Sequence, residues 1–218
     1  MMAQRSRRAW LCVLAAWAAG GILAAQTADE KREQQLKVAE VMQAMGIGDG
    51  SQAADVGAGG GFFTERLAKK VGPAGRVYAV DIDTRYAIPQ LKRLVSKKSL
   101  KNIIVIHSEP GDPKLPSGTL DAVLMVIAYH EVEPYKDMLA HVKTALKPGA
   151  RLVVVDMMPH KTRTRPRADQ TKNHVIAPEI AEAEFREAGF EIVSRNDAFV
   201  DWPDEETVRW MIICRRPQ

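Results

Sequence analysis

A glycine-rich stretch preceded by an aspartate is the first feature of the sequence that could do chemistry. It reads Asp55-Val-Gly-Ala-Gly-Gly-Gly-Phe-Phe63 and lies between a short apolar run and a segment with apolar residues at helical spacing. Glycines in such numbers are tolerated where the backbone turns at positive φ or lies against a ligand. A strand, a glycine turn and a helix in this order direct the free N–H groups of the helix start towards the turn. The stretch therefore predicts a ligand above the turn, and the alternative is a plain strand-to-helix turn.

The spacing of the glycines separates two classes of ligand. A dinucleotide fingerprint ends in a small residue, and counting from Gly57 and Gly59 that position falls on Phe62, whose bulky ring argues against NAD or FAD. The pattern Asp55-x-Gly57-x-Gly59-x-Gly61 instead resembles the first motif of class I S-adenosylmethionine-dependent methyltransferases. The resemblance implies S-adenosyl-L-methionine as the cofactor. It places the glycine loop around the methionine portion, with Asp55 helping to hold the amino group.

Further acidic residues stand where an adenosine would need them. Asp81 ends the second predicted strand, where a carboxylate can accept both ribose hydroxyls, and Asp83 is the alternative. In residues 108–116, after the third strand, the resemblance implies an acidic contact to the adenine amine. Asp112 is the first choice for this contact and Glu109 the second. The alternatives are a helix cap or surface acid at Asp81 and a merely stiff connection in the Pro-rich loop.

Tyr129, His130 and Glu131 follow the fourth predicted strand and are the candidate catalytic residues. Methyl transfer from a sulfonium is an in-line displacement, so the protein mainly aligns the acceptor and excludes water. A base is needed only if the acceptor must lose a proton. His130 is the best-placed base, and Tyr129 or Glu131 could orient it or the acceptor; alternatively His130 caps or packs against the cofactor. One departure from the resembled family is Ile127, which is apolar where many members carry a polar residue at the end of this strand.

Other candidate sites receive less support. The basic loop of residues 160–167 could be a lid for an acidic substrate or a phosphate-facing patch, but a solvated loop is the simplest reading. No aromatic residues interleave with its arginines, so no nucleic-acid partner is expected. The histidines lack the paired spacings that zinc needs, so no metal is predicted, and His174 is a further possible substrate contact. Cys214 lies in an apolar run and is expected to be a buried structural thiol.

The N-terminal segment is typical of an export signal. Arg5, Arg7 and Arg8 precede the uncharged residues 9–25, which end in small side chains. We therefore expect residues 1–25 to be a cleaved signal peptide, and the arginine pair also resembles the twin-arginine signal that exports folded proteins. The alternative is an uncleaved membrane anchor, because the uncharged span is about long enough to cross a bilayer. The expected location is periplasmic or secreted, with membrane contact only through this segment.

Length, composition and charge fit one α/β domain with a short appendage. The chain has 218 residues, of which 46% are hydrophobic and 27% charged, which excludes disordered and collagen-like classes. The formal net charge is +4, and the three arginines in the signal leave +1 for the rest, so the charge does not suggest a nucleic-acid partner. The expected organisation is a signal or anchor over 1–25, an N-terminal helix over 26–50 and a methyltransferase domain over 51–218.

Strands and helices alternate along the predicted domain. The predicted strands are residues 52–56, 76–81, 102–107, 121–127, 151–156, 191–195 and 207–214, and the predicted helices are residues 29–45, 62–71, 88–99, a helix ending at 146 and closed by the turn 147–149, and 180–188. Such alternation implies a parallel sheet covered on both faces, with ligands at the carboxyl ends of the strands. The last two strands have no helix between them and are expected to be antiparallel. Together with the resemblance, the fold class is α/β, a Rossmann-like three-layer sandwich with a seven-stranded, mostly parallel sheet and an antiparallel last strand.

The function implied by the resemblance is methyl transfer from S-adenosylmethionine to a small-molecule acceptor. The resemblance weakens after the fifth strand, so the acceptor is not identified. Because this cofactor is made in the cytosol and export is expected, the alternative is an exported S-adenosylmethionine-binding protein without transferase activity. A third interpretation, an NAD(P)-dependent reductase, is disfavoured by Phe62.

Overall fold

The computed structural model describes residues 30–159, 163–201 and 207–218. The chain divides into two units, Met1–Glu40 and Val41–Gln218. Residues 30–35 are helical, and a turn in which Lys37 has a φ of 44° precedes helix α1 (Val38–Met45). The predicted single helix over residues 29–45 is therefore interrupted, because an α-helix requires negative φ throughout.

The predicted signal or anchor over residues 1–25 lies outside the described residues. Among the helices that are described, none is both long enough and apolar enough to span a bilayer.

Strands and helices alternate in the unit Val41–Gln218. The strands are β1 (Gln52–Val56), β2 (Arg76–Asp81), β3 (Ile103–His107), β4 (Leu120–Val126), β5 (Leu146–Pro159), β6 (Glu191–Val200) and β7 (Thr207–Arg215). The helices after α1 are α2 (Phe62–Val71), α3 (Ala87–Lys98), the 3₁₀ turn Tyr129–Glu131, α4 (Tyr135–Ala145), α5 (Arg167–Thr171) and α6 (Pro178–Glu187). The sequence predicted β1, α2 and β2 with these same bounds.

The seven strands form one sheet in the order β3-β2-β1-β4-β5-β7-β6. The neighbouring pairs among β1 to β5 are parallel, whereas β7 is antiparallel to both β5 and β6. The expected fold class and its antiparallel last strand are confirmed. The strand order reverses between β1 and β4, which is where open α/β sheets place their ligands.

The central strands are buried on both faces, as parallel strands between helix layers must be. On one face, sheet residues such as Met125 and Trp210 pack with Leu139 of α4 and Phe185 of α6 in one hydrophobic cluster. Helices α2 and α3 contact β1, β2 and β3. The indole N–H of Trp210 donates to the carbonyl of Ile176 at 2.8 Å, so this fully buried ring has its polar atom satisfied.

Element boundaries differ from the prediction mainly around β5 and β6. The predicted turn over residues 147–149 lies within the bounds of β5, where the pairing with β4 shifts register and Gly149 has a φ of 76°. β6 extends to Val200, through polar residues that periodicity does not identify as a strand, because it is an edge strand with one partner and mostly exposed side chains. The five-residue helix α5 is not predicted at all, since it is too short to show a period.

Candidate active site

The glycine turn between β1 and α2 is shaped by two glycines that no other residue could replace without strain. Gly57 has a φ of 77°, and a Cβ built on it would lie 2.4 Å from the Cβ of Ala128. Gly61 has a φ of 84°, and a Cβ there would lie 2.6 Å from Leu94 of α3. At Gly59 a Cβ would meet nothing within 4 Å. The outer glycines therefore permit close packing, and the middle one leaves the backbone accessible to a ligand.

Asp55 lies at the end of β1, beneath this turn. Its carboxylate is almost fully buried and accepts a hydrogen bond of 2.6 Å from the hydroxyl of Thr64 on α2. Burial raises the pKa of Asp55 to about 6, the Thr64 hydrogen bond opposes that shift, and the nearby charge of Asp81 adds to it. Asp55 does not belong to the cavity lining, so a part in holding the amino group of the cofactor stays a prediction.

Asp81 connects the end of β2 to the glycine turn. One carboxylate oxygen accepts from the backbone N–H of Gly59 at 2.8 Å, and the other accepts from the N–H of Asp83 at 2.9 Å. Asp83 is fully engaged in a local turn, where its carboxylate accepts from the N–H groups of Arg85 and Tyr86 and its pKa is lowered by these bonds. The carboxylate of Asp83 thus stabilises this turn, and Asp81 is the better placed of the two for a ribose.

A cavity of about 530 Å³ opens at the carboxyl ends of β1 to β4. This volume suits a drug-sized ligand. Its wall is formed by Val56, Gly57, Asp81, Ile82, Asp83, Ser108, Glu109, Pro110, Gly111, Ile127, Ala128, Glu131, Val132, Glu133 and Met138. Phe62 is not among these residues, and the guanidinium of Arg66 lies 3.6 Å from the centre of its ring. The cavity is therefore not plugged by Phe62.

Among the described residues that line the cavity, the charged side chains are all acidic. Two of the five carboxylates are paired with cations that stand outside the wall, Glu109 with Lys114 at 2.5 Å and Glu133 with Arg167 at 3.1 Å. The wall is thus suited to neutral or cationic groups and opposes anionic ones.

The loop after β3 brings Glu109 rather than Asp112 to the cavity. Glu109 lines the wall, whereas Asp112 is tied to the base of the loop. The two residues exchange backbone hydrogen bonds, and the carboxylate of Asp112 accepts from the N–H of Lys114 at 2.8 Å. The structure thus places the second choice of the sequence analysis at the wall, and the adenine contact of either residue stays a prediction.

His130 is held by a buried aspartate that the sequence analysis missed. Asp156 of β5 has no exposed surface, and its carboxylate lies 2.7 Å from the Nδ1 atom of His130 and accepts the backbone N–H of His130 at 3.0 Å. Burial disfavours the charged imidazole, but the hydrogen bond and charge of Asp156, with the charge of Glu131, outweigh it, so the pKa of His130 is raised. Because a carboxylate only accepts, Nδ1 carries the proton and Nε2 is left as the basic atom.

The three predicted catalytic residues are not equivalent in the structure. Glu131 lines the cavity, its Oε1 atom lies 3.4 Å from Nε2 of His130, and it also contacts Nδ1 of His174. Tyr129 instead lies wholly in the core, where its hydroxyl donates to Glu184 at 2.6 Å and its ring packs on Phe185. A contact between Tyr129 and an acceptor does not fit this position, which suits a structural role.

Ile127, the apolar departure at the end of β4, has a strained backbone. Its φ is 51°, an outlying value for a β-branched residue, and its N–H donates to the carbonyl of Val155 at 2.7 Å. The residue lines the cavity. Such strain persists only where the surroundings fix it, and it concentrates at ligand sites.

The remaining candidate residues have surroundings that suit a structural role. Cys214 is buried, and burial raises the pKa of its thiol, as expected for a structural residue. Within the basic loop, Arg163 pairs with Glu179 and Asp197, and Arg167 pairs with carboxylates as well. Residues 160–162 of that loop lie outside the described residues.

Comparison with known proteins agrees with this architecture. Residues 53–149 match a family model described as a methyltransferase domain. Over 117 residues the chain is 28% identical to a demethylmenaquinone methyltransferase of Geobacillus sp. (strain WCH70), covering 54% of this chain and 50% of the relative. Over 168 residues it is 23% identical to the ubiquinone/menaquinone biosynthesis C-methyltransferase UbiE of Erwinia tasmaniensis, covering 77% and 66%. The chain thus spans half to two thirds of the length of these curated relatives.

A solved structure resembles most of the chain. The SAM-dependent methyltransferase from Aquifex aeolicus superposes with a TM-score of 0.70 at 25% identity, covering 84% of this chain and 92% of that one. The fold, the glycine turn and the match over residues 53–149 thus all resemble those of S-adenosylmethionine-dependent methyltransferases.

Proposed function

We propose that this protein transfers the methyl group of S-adenosylmethionine to a neutral or cationic small-molecule acceptor. The observation that carries the proposal is the cavity at the strand-order reversal, which has the glycine turn and Asp81 on one side and Glu131 on the other. When bound, S-adenosylmethionine supplies an electrophilic methyl group on a positively charged sulfur.

The residues of the cavity fit this cofactor. The accessible backbone at Gly59 offers a place for close approach, and Asp81 lies beside it to accept the ribose hydroxyls. Asp55 is the predicted partner of the amino group, and Glu109 or Asp112 that of the adenine amine. The acidic wall favours a sulfonium and opposes the pyrophosphate of NAD, which supports the methyltransferase over the reductase.

His130 is the proposed base for an acceptor that must lose a proton; it is buried, is not among the residues that line the cavity, and meets the wall through Glu131. Asp156 fixes its ring so that Nε2 faces Glu131, which belongs to the cavity wall. A histidine oriented in this way by a buried carboxylate is a common arrangement for general base catalysis. The chain's own contribution to the reaction is then to hold the two reactants in line, exclude water and accept this proton.

The apolar part of the wall indicates the body of the acceptor. Val56, Ile82, Ile127, Val132 and Met138 contribute hydrophobic surface to the cavity. The names of two relatives concern menaquinone and ubiquinone, which combine an apolar body with a ring that must lose a proton on methylation. We therefore propose a quinol-like acceptor as the first class to test.

We also propose that residues 1–25 export the protein or anchor it in a membrane. The support is the arginine cluster and the uncharged span that follows it. Determining the N-terminal residue of the protein purified from its own cells distinguishes cleavage before Gln26 from a retained anchor.

Incubation with methyl-labelled S-adenosylmethionine tests the activity. The full chain and its Asp81→Ala variant are supplied in parallel with short-chain quinols, amines and phosphorylated compounds. The proposal predicts label in a neutral or cationic acceptor with the wild-type chain and at least tenfold less with the variant. Cofactor binding without labelling of any acceptor, in a cell extract as well, would instead favour the exported binding protein.

A further inference from the structure

A cluster of two histidines and one glutamate lies beside the cavity, formed by residues far apart in sequence. His130 and Glu131 belong to the 3₁₀ turn after β4, and His174 follows helix α5. The potential ligand atoms of the three side chains all lie within 4.8 Å of one another. The two imidazole rings are nearly perpendicular, at 84°, with centres 6.0 Å apart. Sequence spacing does not reveal this cluster, because its histidines do not share a helix or a turn.

The orientation of His130 is a second and independent observation. Its Nδ1 atom is bound to the buried Asp156 at 2.7 Å, so Nε2 is the ring nitrogen left for a ligand, and it lies 3.4 Å from the Oε1 atom of Glu131. Metal-binding histidines almost always donate their other ring N–H to a carboxylate or carbonyl in this way. The carboxylate fixes the ring and makes the ligating nitrogen more basic.

One ligand pair already has the separation that a small divalent ion needs, whereas Glu131 and His174 are in direct contact and must move apart to admit it. Zinc binds nitrogen and oxygen ligands at about 2.0–2.2 Å, so two ligands of a tetrahedral site lie about 3.3 Å apart. The separation of 3.4 Å between Nε2 of His130 and Oε1 of Glu131 matches this value. Glu131 and His174 have side chains that are 58% and 72% exposed, so both can adjust and the site is accessible from solvent.

We propose that His130, Glu131 and His174 bind a divalent transition-metal ion, with zinc favoured by the donor set. Two imidazoles and one carboxylate suit zinc, cobalt or nickel rather than magnesium or calcium, which prefer oxygen ligands. Three protein ligands leave a coordination position open, as in catalytic zinc sites.

The proposed metal site adjoins the cavity and shares His130 with the proposed base. Because Glu131 belongs to the cavity wall, the ion lies at the edge of the cavity. An ion on Nε2 of His130 excludes proton uptake at that atom, so metal binding and the base role alternate in a given molecule.

Titration of the metal alone tests the proposal without cofactor or acceptor. The untagged, chelator-treated full chain is titrated with ZnCl₂ by calorimetry and with CoCl₂ by visible absorption. We expect one equivalent to bind, with the Co²⁺ bands of a four- or five-coordinate site. His174→Ala and Glu131→Gln, both at exposed side chains, should weaken binding at least tenfold, and Asp156→Asn about tenfold or more.

His141→Ala is the matched control. His141 lies on α4, where its Nδ1 atom bonds to the carbonyl of Gly111, outside the cluster. The control should bind zinc as the wild-type chain does. Absence of saturable binding, or binding that His174→Ala and Glu131→Gln leave unchanged, would overturn the proposal. Methyl transfer is assayed separately on the metal-free chain, so failure of the metal proposal and failure of the proposed function are distinguishable.

Discussion

The carboxylate of Asp81 accepts a hydrogen bond from the backbone N–H of Gly59 at 2.8 Å, which joins the end of β2 to the glycine turn after β1. The two features that the sequence assigned to one ligand are thus in direct contact. This contact places the accessible backbone at Gly59 beside the carboxylate of Asp81, which lines the cavity. A nucleoside can meet both at once only in such an arrangement.

Replacing Asp81 by alanine should weaken the binding of S-adenosylhomocysteine at least tenfold. The variant loses the proposed acceptor of the ribose hydroxyls and the bond to Gly59. Isothermal titration measures the effect in parallel with Asp83→Ala, the alternative assignment, which should weaken binding less because the carboxylate of Asp83 serves a local turn. Affinities of Asp81→Ala and the wild-type chain within twofold of each other would contradict the assignment.

Replacing Gly57 by alanine should destabilise the fold by about 2 kcal/mol or more, because strain at positive φ adds to a steric clash. The new methyl group would lie 2.4 Å from the Cβ of Ala128 at a φ of 77°. In Gly59→Ala the new methyl group meets nothing within 4 Å, so the fold should lose only about 1 kcal/mol of stability, from the strain of a positive φ. Urea unfolding compares the two, and equal losses would show that the contact with Ala128 does not constrain the turn.

Substitution of His130 by alanine should slow methyl transfer about 100-fold while cofactor affinity changes little. His130 is positioned by Asp156, lies 3.4 Å from Glu131 of the cavity wall and is not part of the glycine turn. Asp156→Asn should also slow transfer, because the substitution perturbs the imidazole ring of His130 that the Asp156 carboxylate orients. Single-turnover assays at saturating cofactor provide the measurement.

Tyr129→Phe is the matched control for that series. It should cost about 1–3 kcal/mol of stability, because Glu184 loses a buried hydrogen-bond donor, while the transfer rate per folded molecule stays unchanged. A loss of rate as large as that of His130→Ala would restore Tyr129 to the catalytic residues.

The buried Asp55 predicts a pH-dependent difference in stability. Its pKa is raised from 3.8 to about 6 on folding, so its stabilising contribution is complete below pH 3.8 and is lost as the pH rises through 6. Asp55→Asn has no such ionisation. Relative to the wild-type chain, the variant should therefore gain about 2.4 kcal/mol between pH 4 and pH 8, at 1.36 kcal/mol for each pKa unit. Chemical denaturation across this range checks the sign, and a difference that does not vary with pH would show that Asp55 titrates normally.

The sequence alone predicts the structure correctly where an element is determined by residues close to it along the chain. β1, the glycine turn, α2 and Asp81 follow one another along the chain, and apolar spacing with positive-φ glycines marks their limits. Asp156 was missed as a site residue because its partner His130 comes from another strand end, and only the β4–β5 pairing brings them together. An acid at the carboxyl end of a buried parallel strand was the available signal.

The less accurate predictions concern positions where the direction of the side chain determines whether the residue reaches the site. Tyr129 and His130 are adjacent in sequence, yet one points into the core and the other to Asp156. Glu109 and Asp112 lie in an irregular loop whose bridge turns one towards the cavity and the other towards the loop base. No periodic pattern distinguishes such neighbours. The same limit applies to β6, whose exposed side chains hide its strand character.

The cavity over the glycine turn is expected to bind S-adenosylmethionine, and the other functional predictions depend on this binding. Calorimetric titration of the wild-type chain with S-adenosylmethionine and, separately, with NAD is the most direct measurement. Saturable 1:1 binding of S-adenosylmethionine, unaffected by a large excess of NAD, is the predicted result. Binding of NAD that S-adenosylmethionine displaces, or no binding of S-adenosylmethionine at all, would show that the cavity is not a specific S-adenosylmethionine site.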